Sequence, residues 1–156
     1  MPLLAMLLAW LVPGAGHAYL GRWKRGIVIF ITIGSLFWAG SAIGGKLTMD
    51  YHGERWWFMA QMLTGAHGAA AWQRQNEVYQ QAVQGKPRLS GQELSAKMAE
   101  MGYAMSPPGD GIARAYSGIA GLLNLMCIFD AIMLSLMNVT GEPRREELAA
   151  PAEGQS

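Results

Sequence analysis

Charge is what this 156-residue chain has least of. Asp, Glu, Lys and Arg make up 15% of it, against about 25% in an ordinary soluble domain. The formal net charge of +1 leaves no basic patch on which nucleic acid would be held, so no nucleic-acid partner is expected. Cysteine is nearly absent: Cys127 stands alone, which excludes an internal disulfide, and its apolar neighbours read it as a small buried hydrophobe. No CxxC, no HExxH and no readable Ser-His-Asp or Cys-His arrangement occurs. The sequence therefore points to no catalytic residue, no cofactor and no metal site.

What is present is apolar: hydrophobic residues make up 51% of the chain, gathered into four runs. The first, Leu3 to Val12, extends through a glycine-rich turn to Tyr19 and lacks the basic start of a cleaved signal peptide, so a retained helix is expected. The second, Gly26 to Ile43, is uncharged over a length suited to a hydrocarbon core of about 30 Å. Gly40 and Gly44 near its end would permit close helix approach. The third, Trp56 to Trp72, contains Gln61 and His67 and is loosened by Gly65 and Gly68. Arg55-Trp56-Trp57 and Trp72 with Arg74 at its ends argue for aromatic belts at two faces, against a rival reading as an interfacial helix or a re-entrant hairpin. The fourth, Ile112 to Met137, is interrupted only by polar Asn124, Asp130 and Ser135 beyond Ile119.

These runs predict an all-α, polytopic membrane protein with about four transmembrane helices. Residues 1–44 form a helical hairpin, 45–72 an outer loop and third span, 73–111 a cytoplasmic amphipathic segment, 112–138 the fourth helix and 139–156 a disordered tail. Leu94, Met98 and Met101 give the middle segment a helical stripe. Four crossings would place eight Lys and Arg on the face of the first turn and four opposite. The excess makes that face cytoplasmic, with both termini outside, in the inner membrane of a bacterium.

The first turn, "VPGAGHAYLGRWKRG" (residues 12–26), is the densest local signal. Pro13 removes a backbone donor, and Gly14, Gly16 and Gly21 permit backbone angles that reverse the chain. His17 lies within the turn, Tyr19 suits the head-group layer, and Arg22, Lys24 and Arg25 are placed to meet lipid phosphates. A nucleotide phosphate loop is excluded, because no Gly-Lys-Ser/Thr ending follows the glycines.

The stretch "PGAGHAYLGRWKRG" resembles the turn of the two-transmembrane (TM2-type) domain family, whose Gly-x-His/Gln-x-Tyr-x-Gly signature joins two spans; the likeness covers residues 3 to 43. With "AYSGIAGLLNLMCIFDAIM" (Ala115 to Met133) as a second landmark, the whole chain looks like an uncharacterised bacterial membrane family with that hairpin at its front. The resemblance implies a membrane hairpin and carries no activity.

Asp130 is the most informative single residue, because an ionised carboxylate inside a bilayer costs several kcal/mol unless it is paired or hydrated. It reads as a proton or cation relay, or as a carboxyl bonded to a neighbouring helix. Asn124 lies about 120° away around the same helix, too far round to share one ligand site with it. Ser117, Gly121, Asn124 and Ile128 share a face and read as a packing seam. His17 and His67 together raise a third alternative, a haem or metal site. The expected role is scaffolding of a membrane complex by helix packing, with lipid and either a second copy or another membrane protein as partners. The alternatives are a transporter or channel component centred on Asp130 and a redox protein using His17 and His67.

Overall fold

The computed structural model describes residues 1–44, 48–49, 55–83, 97, 100–102 and 107–142. Among them the chain forms six helices and no strand: α1 Pro2–Leu11, α2 Ala15–Tyr19, α3 Trp23–Gly44, α4 Arg55–Met62, α5 Ala66–Val83 and α6 Pro107–Leu136. Two are long and apolar enough to cross a membrane, α3 with 22 residues and the Gly111–Leu136 part of α6 with 26. They run antiparallel. Arg25 in the first turn of α3 is paired with Asp130 far along α6, whereas Gly40 near the end of α3 lies against Ala113 and Ser117 near the start of α6. A methyl group at Gly40 would come within 2.7 Å of the Ala113 carbonyl oxygen.

The structure does not support four crossings. α1 has only 10 residues, about 15 Å of helix, or half a hydrocarbon core. It stops because Val12 precedes a proline, which holds Val12 extended at φ −133° and ψ 114°. Gly14, at φ 85°, then turns the chain back into α2, and Gly16 of α2 packs on Ala5 and Ala9 of α1. The third run is divided in the same way. α4 ends at Met62, Gly65 takes φ 60°, and α5 returns with Gly68 against Gln61 and Met62. What hydropathy joins into one span is a hairpin of two helices, α4 being 8 residues long.

The two hairpins enter from opposite ends of the α3–α6 pair. Along α6, Ala131 and Ile128 pack with Ala9 of α1, while Gly118 and Gly121 lie against Trp57 and Ala60 of α4. The tips meet beside Asn124, close to the centre of the apolar part of α6. There is no room for a side chain at Gly65, because the Trp10 and Leu11 carbonyls occupy the space. The second hairpin runs in the opposite sense to the first, and its returning helix α5, with 18 residues, is much longer than the 5-residue α2. Each tip carries a related stretch: Gly14-Ala15-Gly16-His17-Ala18 in one, Gly65-Ala66-His67-Gly68-Ala69 in the other.

The charge count that assumed four crossings changes with them. The Gly141 N–H donates to the Leu20 carbonyl at 2.8 Å, so the chain leaving α6 lies at the same end as the cationic turn. Among the described residues Arg22, Lys24 and Arg25 lie at that end, and Arg55, Arg74 and Arg114 belong to the elements of the other. The start of the tail is docked, not free: the Glu142 carboxylate accepts from the Lys24 N–H at 2.9 Å, capping α3 and meeting the positive end of its dipole. The first part of the expected middle segment continues α5 to Val83. Leu94, Met98 and residues 143–156 lie outside the described residues, as does His52 in the loop before α4.

Large apolar side chains lie outside this assembly. Ile27, Val28, Phe30 and Ile31 on α3 and Ile119, Leu122, Met126, Phe129 and Met133 on α6 are exposed, while His17, Gln61, Thr64, Ser117 and Asn124 are buried. A water-soluble domain sorts its residues the other way.

Candidate functional site

α6 carries Ser117 and Asn124 on its buried face and the half-buried Asp130 about 120° round from Asn124, and each meets different elements. Asp130 faces the returning limb of the first hairpin. Its Oδ2 lies 2.7 Å from His17 Nε2 and 3.1 Å from an Arg25 guanidinium nitrogen. His17 is wholly buried, whereas the Asp130 and Arg25 side chains are 39% and 49% exposed. The arrangement supplies the carboxylate with a counter-ion and a hydrogen-bond donor from two separate helices. With its proton on Nε2, His17 donates to Asp130; its Nδ1 is buried with no hydrogen-bond partner among the described residues.

This separates the turn residues into two groups. Pro13, Gly14, Gly16 and His17, the residues that reverse the chain, are buried in the interior. Gly14 has the Gly26 carbonyl where a Cβ would stand, which brings the turn directly onto α3. Tyr19, Gly21, Lys24 and Arg25 are exposed and Arg22 half-buried. Gly21 holds φ 82°, where it passes the chain beneath Gly141.

Asn124 joins the hairpin tips. Its side-chain N–H groups donate to the Ala9 carbonyl at 3.2 Å and to the Leu63 carbonyl at 2.8 Å, satisfying oxygens left open where α1 and α4 end. Gln61 acts one turn away: it donates to Ser117 Oγ at 2.7 Å and to the Thr48 carbonyl at 3.1 Å. Ser117 in turn donates to the Ala113 carbonyl at 2.9 Å, and Thr64 closes the α4 end on the Gln61 carbonyl at 2.6 Å. The face shared by Ser117, Gly121, Asn124 and Ile128 is therefore buried along its length against α1 and α4. Thr64 and the role of Gln61 were missed by sequence reasoning; a polar Gln-x-x-Thr-Gly inside an apolar run was the available signal.

His67 belongs to the other tip. Its Nδ1 accepts from Trp38 Nε1 at 3.2 Å, and the Phe30 and Phe37 rings lie 5.6 and 6.1 Å from it, centre to centre. The two histidines are engaged separately, His17 with α6 and His67 with α3. Among the described residues no group of three or more His, Cys, Asp or Glu side chains is placed to hold a metal ion.

The sequence model of a family of unknown function, DUF6677, matches residues 4–144. The chain belongs to that family. No curated protein and no solved structure matches it.

Proposed function

We propose that this chain is an integral membrane protein in which α3 and α6 cross the bilayer, the two hairpins are re-entrant from opposite faces, and the whole serves as a helix-packing scaffold for a membrane complex. The supporting observation is the inverted distribution of side chains, large aliphatics outward and Asn, Gln, Ser, Thr and His inward. In lipid every backbone group needs an internal partner, and half-length helices leave several open. Asn124 and Thr64 meet that need at the tips. The bonds of His17 with Asp130, Trp38 with His67, Gln61 with Ser117 and Asn124 with Ala9 and Leu63 each hold one element to another, which favours a structural role over chemistry.

The reading places the chain in a bacterial inner membrane, with the cationic turn at the cytoplasmic face. Arg22, Lys24 and Arg25 stand within four positions at the mouth of a crossing helix, where anionic lipid attracts them. The cations of the other end, Arg55, Arg74 and Arg114 among the described residues, are spread over a much longer stretch. The expected partner is another membrane protein or a second copy. The chain should remain in membranes after alkaline extraction and should migrate in mild detergent as a stable oligomer or with a partner. Migration as a lone monomer would overturn the scaffold role.

A second reading, a transporter or channel component using Asp130, is favoured by one observation. Broken helices whose ends meet beside a polar residue at mid-depth, as α1 and α4 do at Asn124, are an arrangement from which membrane transport sites are built. Asp130→Asn separates the two. It keeps the shape but removes the partner charge of Arg25, so the scaffold reading expects lower abundance and unchanged flux per molecule. Loss of proton or ion flux in vesicles at full abundance would establish transport instead.

A further inference from the structure

A cleft of about 540 Å³ opens between the C-terminal part of α3 and α5, away from the Asp130 cluster. Its apolar wall is made by Trp38, Met49, Ala71 and Val78, and its charges are Arg74 and Glu77. We propose that this cleft binds an aminophospholipid head group, the phosphodiester on Arg74 and the primary amine on Glu77. The proposal rests on the membrane reading given above.

Depth is the first argument. Trp38 lies 4 to 5 residues beyond the midpoint of α3, and Arg74 lies 8 residues from the tip of its hairpin, about 12 Å along a helix of 1.5 Å rise. Half a hydrocarbon core is about 15 Å. The charges therefore sit where acyl chains give way to head groups, with the apolar wall on the acyl side.

Charge placement is the second. Arg74 and Glu77 are one turn apart on α5, a spacing at which opposite charges ordinarily pair. No ion pair joins them among the described residues; the Arg74 guanidinium lies instead over the Trp38 ring, 5.0 Å from its centroid. A guanidinium held over a ring keeps N–H groups to offer a phosphate, which it can grip in bidentate fashion. Glu77 then offers a carboxylate to a group carrying both a positive charge and N–H donors. Ethanolamine, with its amine two carbons from the phosphate oxygen, meets both demands. Choline has the charge without the donors, and a glycerol head group lacks the charge.

The test uses the full chain reconstituted in bilayers of equal phosphatidylethanolamine, phosphatidylcholine and phosphatidylglycerol, re-extracted, with the retained lipid measured by native mass spectrometry. The wild-type chain should retain the ethanolamine lipid about tenfold over the other two, the factor expected of one charge-assisted hydrogen bond. Glu77→Gln should bring it down to the level of the choline lipid, and Arg74→Gln should release all three classes. Retention in bulk proportion by the wild type, or an unchanged ratio in both variants, overturns the assignment. Release of the lipid by millimolar inorganic phosphate would make this a free-phosphate site and overturns it too. Failure to enter the bilayer at all would instead sink the membrane reading.

Discussion

Gly65 is held at φ 60° with the Trp10 and Leu11 carbonyls standing where a side chain would begin. Gly65→Ala adds a backbone penalty of about 1–2 kcal/mol for the left-handed region to a collision with another segment's main chain. Its total should exceed about 3 kcal/mol. Gly102 is the control: its φ is 76° but nothing among the described residues lies within 4 Å of a Cβ there, so Gly102→Ala should cost only the backbone part, about 1–2 kcal/mol. Thermal unfolding in detergent, followed by tryptophan fluorescence, ranks the two; equal costs would mean that the tips do not touch. Asn124→Leu removes two hydrogen bonds between elements and should lower stability by about 1–2 kcal/mol on the same scale. At this scale the sequence was only half legible. Asp130 stood out because a carboxylate in an apolar run demands a partner, but that partner, His17, is 113 positions away, and no local pattern joins them.

Element lengths were legible where composition alone decides them. α3 and α6 follow from long uncharged runs; α1 and the α4–α5 pair do not. A window average over Trp56 to Trp72 cannot distinguish one helix from two, because the sum is the same whichever way residues 63–65 turn. What decides it is the positive φ at Gly65 and the fit of Gly68 on Gln61 and Met62, both consequences of tertiary contact. Val12-Pro13-Gly14 did carry its own stop signal, but the sequence could not fix how far along the span it acts. The re-entrant geometry predicts labelling. In a Cys127→Ser background, single cysteines replacing Tyr19 and Val139 should react with an impermeant maleimide from one face of sealed vesicles, and one replacing Gln81 from the other. Reaction of Tyr19 and Val139 positions from opposite faces would restore an odd number of crossings between them.

For the molecule as a whole, two hairpins of opposite direction share one interior beside α3 and α6, and neither completes it alone. A family of unknown function accounts for residues 4–144, which spans both halves and the docked Glu142. Exchanging Glu142 for Gln should loosen the closure at the cationic end without reaching the tips, a loss of about 0.5–1 kcal/mol screened by salt. The long reach between His17 and Asp130 also bears on how the protein is made. At about 5–20 residues per second, the ribosome delivers Asp130 about 6–23 s after His17. For that interval the first hairpin has neither its carboxylate nor Asn124 to hold it. On the membrane reading proposed above, a newborn chain would hold α1 and α2 at the bilayer surface and draw them inward only when α6 arrives.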